Sequence, residues 1–329
     1  MIWFAGVAAA QSVVFDLNDQ EAQQLGLDAA QIEDELGGAL GDQLNLVDTA
    51  GYLASFAGAD AIALKGMGVD YASNPRKFTL GATVGSAVAD VPLTFVRSPT
   101  TLPDGGYAFM ASAHAGLNLG ALTPSDDWLD RVIVYGNGMK FSPPGNRNFQ
   151  ASLYNFGGHL QVKVVGPFDL KAVEWGGFDV TVGYEKSFYQ LELNRALPLT
   201  HSVAPAKFTW TANGNYQMSA VADTVPLELS TNVRLLMLTA FGGGAVDVNG
   251  ATATSTASLA GPVDAEVAGE SANLGTASVS LEGTGDAARL VPRAFVGAQL
   301  GFGPAKLYGQ LNVASSQTYG GFLGVRLAM

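Results

Sequence analysis

Residues 289–329 read RLVPRAFVGAQLGFGPAKLYGQLNVASSQTYGGFLGVRLAM, and this stretch decides the fold. Leu290, Ala294, Val296, Ala298, Leu300 and Phe302 share one parity, with Arg293 and Gln299 on the other. After a two-residue turn, Leu307, Leu311 and Val313 alternate with Lys306, Tyr308, Gln310 and Asn312. A third run sets Tyr319, Leu323, Val325, Leu327 and Met329 opposite Arg326. A period of two is a strand with two unlike faces. Three such strands joined by very short turns, the last running to the end of the sequence, predict the closing wall of a transmembrane β-barrel. Met329 stands where such barrels commonly carry a terminal Phe.

Composition agrees. Charged residues are 14 % of the 329, well under the usual quarter, and glycine is abundant at 41. The uncharged run 105–125 is long enough for a membrane helix. It alternates instead: Tyr107, Phe109, Ala111, Ala113, Ala115, Leu117 and Leu119 against Ser112, His114, Gly116 and Asn118. A net charge of −12 argues against nucleic acid as a partner. The absence of Cys excludes disulfides, thiolate metal sites, a lipoprotein anchor and a cysteine nucleophile. Residues 1–10, with Ala8-x-Ala10 before Gln11, read as the remnant of a secretory signal peptide.

Residues 16–60 hold ten acidic residues and no Lys or Arg. Leu25, Ala29, Ile32, Leu36 and Leu40 recur at helical spacing, and Leu44, Val47, Tyr52, Leu53 and Phe56 continue the stripe. The expectation is a short acidic α-helical segment, either plugging or capping the barrel or packing on its rim. Residues 61–76 are a connector and the barrel occupies 77–329. Its strands run through Phe78–Val84, the uncharged run, 129–141, the segment ending at Val164, Phe178–Tyr184, Val225–Leu235, 237–249 and the final three. Two irregular or low-complexity stretches, 190–222 and 250–288, are expected to be long outer loops; the second has no aromatic residue from which to build a core. The result is an all-β antiparallel transmembrane barrel of about ten strands, or twelve if a hairpin at 207–219 joins the wall. Short turns at 121–128, 166–172, 235–237 and 303–304 would face the periplasm. Strand lengths suit tilted spanning strands of about 9–11 residues, and Tyr107, Phe141, Phe149, Tyr184, Phe302 and Tyr319 sit where interface girdles form.

The polar parity should line the lumen. It carries His114, Asn118, His159, Gln161, Lys163, Asp179, Glu185, Glu228, Arg234, Arg293, Lys306, Gln310 and Arg326. Opposite charges there can line a pathway or brace neighbouring strands, and mixed signs argue against a strongly ion-selective pore. A hydrolase would need His114 or His159 beside Ser112, Asp179 or Glu185; hydrogen bonding within a polar lumen explains the same residues more simply. No metal or organic cofactor is expected. Asp126, Asp127 and Asp130 read as a solvated turn rather than a Ca²⁺ loop. Gly66-x-Gly68, Gly136-x-Gly138 and Gly301-x-Gly303 lack the helix and Lys of a nucleotide loop.

The segments Val173-Glu-Trp-Gly-Gly-Phe-Asp-Val-Thr-Val-Gly-Tyr184, Arg234 through Phe241-Gly-Gly-Gly244, Gly303-Pro-Ala-Lys-Leu-Tyr-Gly309 and Tyr319-Gly-Gly-Phe-Leu-Gly-Val-Arg326 resemble an uncharacterised family of bacterial outer-membrane β-barrels. That resemblance implies a barrel over most of 50–329 and brings no catalytic residues with it. A helical segment ahead of a barrel also looks, at fold level, like the fatty-acid-transporter arrangement. The function expected is binding or passage of a small apolar or amphipathic molecule through a narrow plugged lumen. The alternative is a structural or adhesive barrel that displays long extracellular loops, with an outer-membrane hydrolase behind both. Outer-membrane lipid, a small apolar ligand and a monomeric state complete the expectation.

Overall fold

A computed structural model describes residues 10–34, 37, 49–90, 105–123, 128–146, 148–170, 173–203 and 206–329. The elements in order are β1 (Ala10–Leu17), α1 (Asp19–Gln24), α2 (Thr49–Ala63), β2 (Phe78–Ala89), β3 (Gly106–Asn118), β4 (Val132–Phe141), β5 (Phe149–Val165), β6 (Phe168–Leu170), β7 (Val173–Val203), β8 (Ala206–Leu235), β9 (Leu238–Val267), β10 (Glu270–Asp286), β11 (Leu290–Phe302), β12 (Ala305–Ala314) and β13 (Thr318–Ala328). The signal-peptide reading and Asp126 and Asp127 fall outside the described residues, apart from Ala10, which opens β1.

Ten strands close a ring in the order β2-β3-β4-β5-β7-β8-β9-β11-β12-β13 and back to β2, all antiparallel. The closing seam runs from Thr318↔Ala89 to Ala328↔Thr79. The segment 207–219 is no extra wall hairpin, so the twelve-strand option falls away. Alternation places the apolar parity outside: Leu80, Val84, Phe109, Leu160, Val182, Leu227, Leu229, Val296, Leu311, Leu323 and Val325 are all exposed. A band of exposed large apolar side chains around a ring in which every strand has a partner on both sides is a lipid-facing belt. Tyr107, Tyr154, Tyr184 and Tyr319 rim it at one end; Phe78, Trp128, Phe168, Phe302 and Met329 rim it at the other.

The stretches 190–222 and 250–288 are not loops. β7, β8 and β9 continue past the belt, Glu192 pairing with Gln217 and Gln217 with Thr256, and β10 and β1 add to them in the order β7-β8-β9-β10-β1. The reason is local. Beyond the lipid, an outward face needs no large apolar groups, so alternation shrinks to Thr252, Thr254 and Thr256 against Ala251, Ala253 and Ser255. Small as they are, these residues still pack, because the core is borrowed. Phe208, Trp210, Val263, Leu274 and Val279 cluster with Ala22, Ala29 and Ile32 from the N-terminal helical residues, with Phe15 and Leu17 alongside. Asn18 caps α1, its side-chain oxygen accepting from Gln20 N–H at 3.0 Å.

The acidic helical segment therefore divides. α1 and helical residues 29–34 cover the projecting sheet, while α2 enters the barrel. Leu36, Leu40, Leu44 and Val47 lie outside the described residues. α2 is apolar or small nearly all round, as a helix buried on every side must be. Leu53, Phe56 and Ala57 meet Met218, Ala220, Ala222, Ala251 and Ala253 of the wall; Ala59, Ile62 and Ala63 meet Ala87, Ala108, Met110 and Phe322. Contact is backbone-close: a Cβ on Gly106 would lie 2.2 Å from Phe56 N. α2 ends at Ala63, and Gly66, at φ +85° in the turn that follows, lets the chain descend through Met67, Val69 and Tyr71 to Arg76.

Candidate functional site

The lumen is filled by the chain itself, and its polar wall is organised around residues 60–76. Lys65 is buried and ion-paired with buried Glu185. Asp60 accepts from Ser187 Oγ at 2.6 Å. Asp70 pairs with Arg326 at 3.0 Å, and Arg326 also donates to Gln299 at 3.1 Å and lies over the Tyr308 ring at 3.6 Å. Tyr71 donates to Glu228 at 2.5 Å. Arg293 binds Glu228 at 2.5 Å, Asp247 at 2.8 Å and Asn312 at 2.9 Å. In a low-dielectric interior such pairs hold only when geometry and extra hydrogen bonds offset desolvation. Arg293, with two carboxylates and an amide around a planar fork, meets that condition.

The remaining sequence candidates are spread over the inward face. Gln161 accepts from Tyr135 at 2.9 Å, and Gln310 donates to Asn312 at 2.9 Å beside Gly66. Asn118 ties a short turn together, donating to Pro75 O and Asp130 O and accepting from Gly120 N–H. At the short-turn mouth, Lys163 pairs with Asp179 at 3.1 Å and reaches Asn74 at 3.0 Å; Arg234 pairs with Glu174 at 3.0 Å; Lys306 donates to Gly303 O at 2.7 Å. His159 stands 3.5 Å from Glu185 and makes no hydrogen bond, nor does His114. Ser112 bonds Asn155 instead of either ring. Neither histidine is therefore hydrogen-bonded to a hydroxyl or a carboxylate.

Sequence reasoning missed the inner partners Asp60, Lys65, Asp70, Tyr71 and Asp247. The signal was present for three of them: Asp60, Lys65 and Asp70 are charges spaced five apart in an otherwise apolar, glycine-bearing run. Charges in such a run must find buried partners.

One cavity opens at the short-turn mouth, about 940 Å³, with Ile133 and Gln161 in its lining. Arg76, Arg131, Lys163, Arg234 and Lys306 line it with Asp130, Glu174 and Asp179, among amides of Asn74, Asn118, Gln161 and Gln299.

A family model described as Lsa36-like matches residues 8–329. The chain belongs to the Lsa36-like family. A comparison with curated proteins gives no match. Among solved structures, the outer-membrane protease OmpT of Escherichia coli is similar at 10% identity and TM-score 0.40, over 78% of this chain and 97% of that one. The translocator domain of the autotransporter NalP of Neisseria meningitidis shows 10% identity and TM-score 0.28 over 94% and 98%. The toluene transporter TbuX of Ralstonia pickettii shows 10% and 0.28 over 86% and 99%. Likeness at this level says nothing about activity. The closed ring and its apolar belt identify a barrel of the bacterial outer membrane.

Proposed function

We propose that this protein is a plugged outer-membrane barrel whose task is to anchor and present the projecting sheet, not to conduct solutes. The observation that carries this reading is the plug's double tether. On one side of α2, β1 is woven into the projecting sheet by eight pairs with β10, from Ala10↔Glu282 to Leu17↔Gly275. On the other, residues 64–76 run through the ion pairs of the lumen and out into β2, where Lys77 N–H donates to Met329 O at 2.7 Å. A plug held at both ends by strand pairing cannot leave as a free domain does. Reconstituted protein in planar bilayers should give no large, steady conductance. Shortening β7–β8 and β9–β10 to the belt, by removing 191–218 and 254–284 across new tight turns, should leave membrane insertion intact while surface contacts are lost. Steady porin-like current from the full chain would overturn the reading.

A second reading rests on the mouth cavity. Its size suits a small amphipathic molecule, and its cations suit an anionic head. Binding there, without passage, is measured by saturable retention of such a molecule on proteoliposomes with no accumulation inside them, and by loss of that retention in the Arg131→Ala/Lys306→Ala variant.

A further inference from the structure

The barrel wall is not uniformly closed. β2 and β3 share twelve pairs, from Phe78↔Leu117 to Ala89↔Gly106, but β3 and β4 share six, ending at Ala113↔Gly138. Beyond that point Met139, Lys140 and Phe141 stay paired with β5 while leaving β3. Alternation fails there too. Ile133, Tyr135 and Asn137 are buried on the inward parity, yet Met139 and Phe141 on the same parity are 37% and 45% exposed, with Lys140 exposed between them. Among the described residues, main-chain pairing is thus absent on one side of β3 from Gly106 to Ser112, in the half of the wall away from the short turns. In hydrocarbon such groups are costly unless something else satisfies them.

Side chains do part of that work. Asn155 of β5 reaches past β4 to donate to Ala111 O at 2.7 Å, Ser112 Oγ donates to Asn155 Oδ1 at 3.1 Å, and Asn137 Nδ2 donates to Ser112 Oγ at 3.2 Å. This is a latch made of three side chains where a strand ladder is expected. Directly behind it, Asn137 Oδ1 and both ring nitrogens of His159 are buried with no hydrogen-bond partner. They converge on the plug: a Cβ on Gly68 would lie 2.6 Å from Asn137 Oδ1 and 3.0 Å from His159 Nε2. Beside it, Phe109, Tyr154 and Phe156 stand exposed on the lipid parity, and Met139 and Phe141 are exposed at the seam itself. Met with aromatics makes an adaptable apolar surface.

We propose that the β3–β4 seam is a lateral entry from the outer leaflet, through which an amphipathic molecule offers its polar head to Asn137 and His159. Its apolar body stays against Met139, Phe109 and Phe141. The head is a neutral hydroxyl or amide, because the nearest charges, Lys65 and Glu185, already neutralise each other and because Asn and imidazole serve one donor–acceptor group well. Buried polar atoms without partners are otherwise rare, and a latch of side chains opens at less cost than a ladder.

This inference is independent of the display reading and is tested on the full chain in phospholipid nanodiscs, with 1-dodecanol as the probe. Titration should shift the side-chain amide signals of Asn137 and Asn155 and the ring signals of His159 saturably, while Gln310 elsewhere in the lumen stays put. The protein has no Cys, so Ser112→Cys/Met139→Cys, the next pair in register, can be oxidised across the seam; the shifts should vanish and return on reduction. Shifts that persist through the closed crosslink overturn the proposal. So does a wild-type titration with no saturable shift at Asn137 and His159, which decides the matter even if the crosslinked variant does not fold.

Discussion

Arg293 shows how much a single lumen residue carries. Its guanidinium is wholly buried and joins β11 to Glu228 on β8, Asp247 on β9 and Asn312 on β12. Removing it leaves two buried carboxylates without a cation. Arg293→Met should lose about 3–5 kcal/mol of stability in urea unfolding of the reconstituted barrel. Adding Glu228→Gln and Asp247→Asn should recover most of that, since the cost is the uncompensated charge rather than the missing attraction. A single variant as stable as the parent would refute the bracing role. Residues of this kind were readable in the sequence as a set, because parity separates Arg293, Gln310 and Arg326 from the lipid face. Their partners were not: parity says that a side chain points inward, and nothing about which inward side chain it meets.

At the level of elements, the projecting sheet is where periodicity gave out. Wall strands such as β11 and β13 announce themselves because lipid demands Val, Leu and Phe on alternate positions. Past the belt that demand ends, and Thr256 against Ala257 looks like low complexity. Trp210 and Phe208 carried the missing signal, two large apolar residues at strand spacing inside a supposed loop. The junction of sheet and plug is testable through Tyr216, on the part of β8 outside the belt. Its phenol is pushed up to about 12 by burial first and by neighbouring Tyr52 second, against an opposing hydrogen bond with Ser255. A raised folded value favours the neutral phenol. Its contribution to stability is therefore complete below the ordinary value of 10.0 and is lost as pH climbs toward 12. Absorbance titration at 295 nm should show one phenol ionising near 12 that Tyr216→Phe lacks, and the variant's stability should fall less steeply through that window. Ionisation of all tyrosines together near 10 would contradict the packing of Tyr216 against α2.

For the molecule as a whole, the decisive feature is direction. Lys77 meets Met329 at the short-turn mouth, so the plug leaves the barrel there. Its other end, through α2, comes from the end where β7, β8 and β9 project, and β1 lies out on that projection beside β10. One chain therefore crosses the membrane layer inside its own barrel, and its two described ends lie on opposite sides. Barrels of this class put short turns in the periplasm, and on that rule we propose that β1 and the projecting sheet lie outside the cell. Two single-cysteine variants test this. Val14 on β1 is 58% exposed, and Gly303 lies in an exposed short turn. In intact cells a membrane-impermeant maleimide should label Val14→Cys and leave Gly303→Cys unlabelled until the outer membrane is permeabilised. The reverse pattern would invert the topology and move the sheet into the periplasm. Labelling of both sites in intact cells would mean that the plug does not seal the barrel, because a reagent that size could reach the mouth only through the lumen.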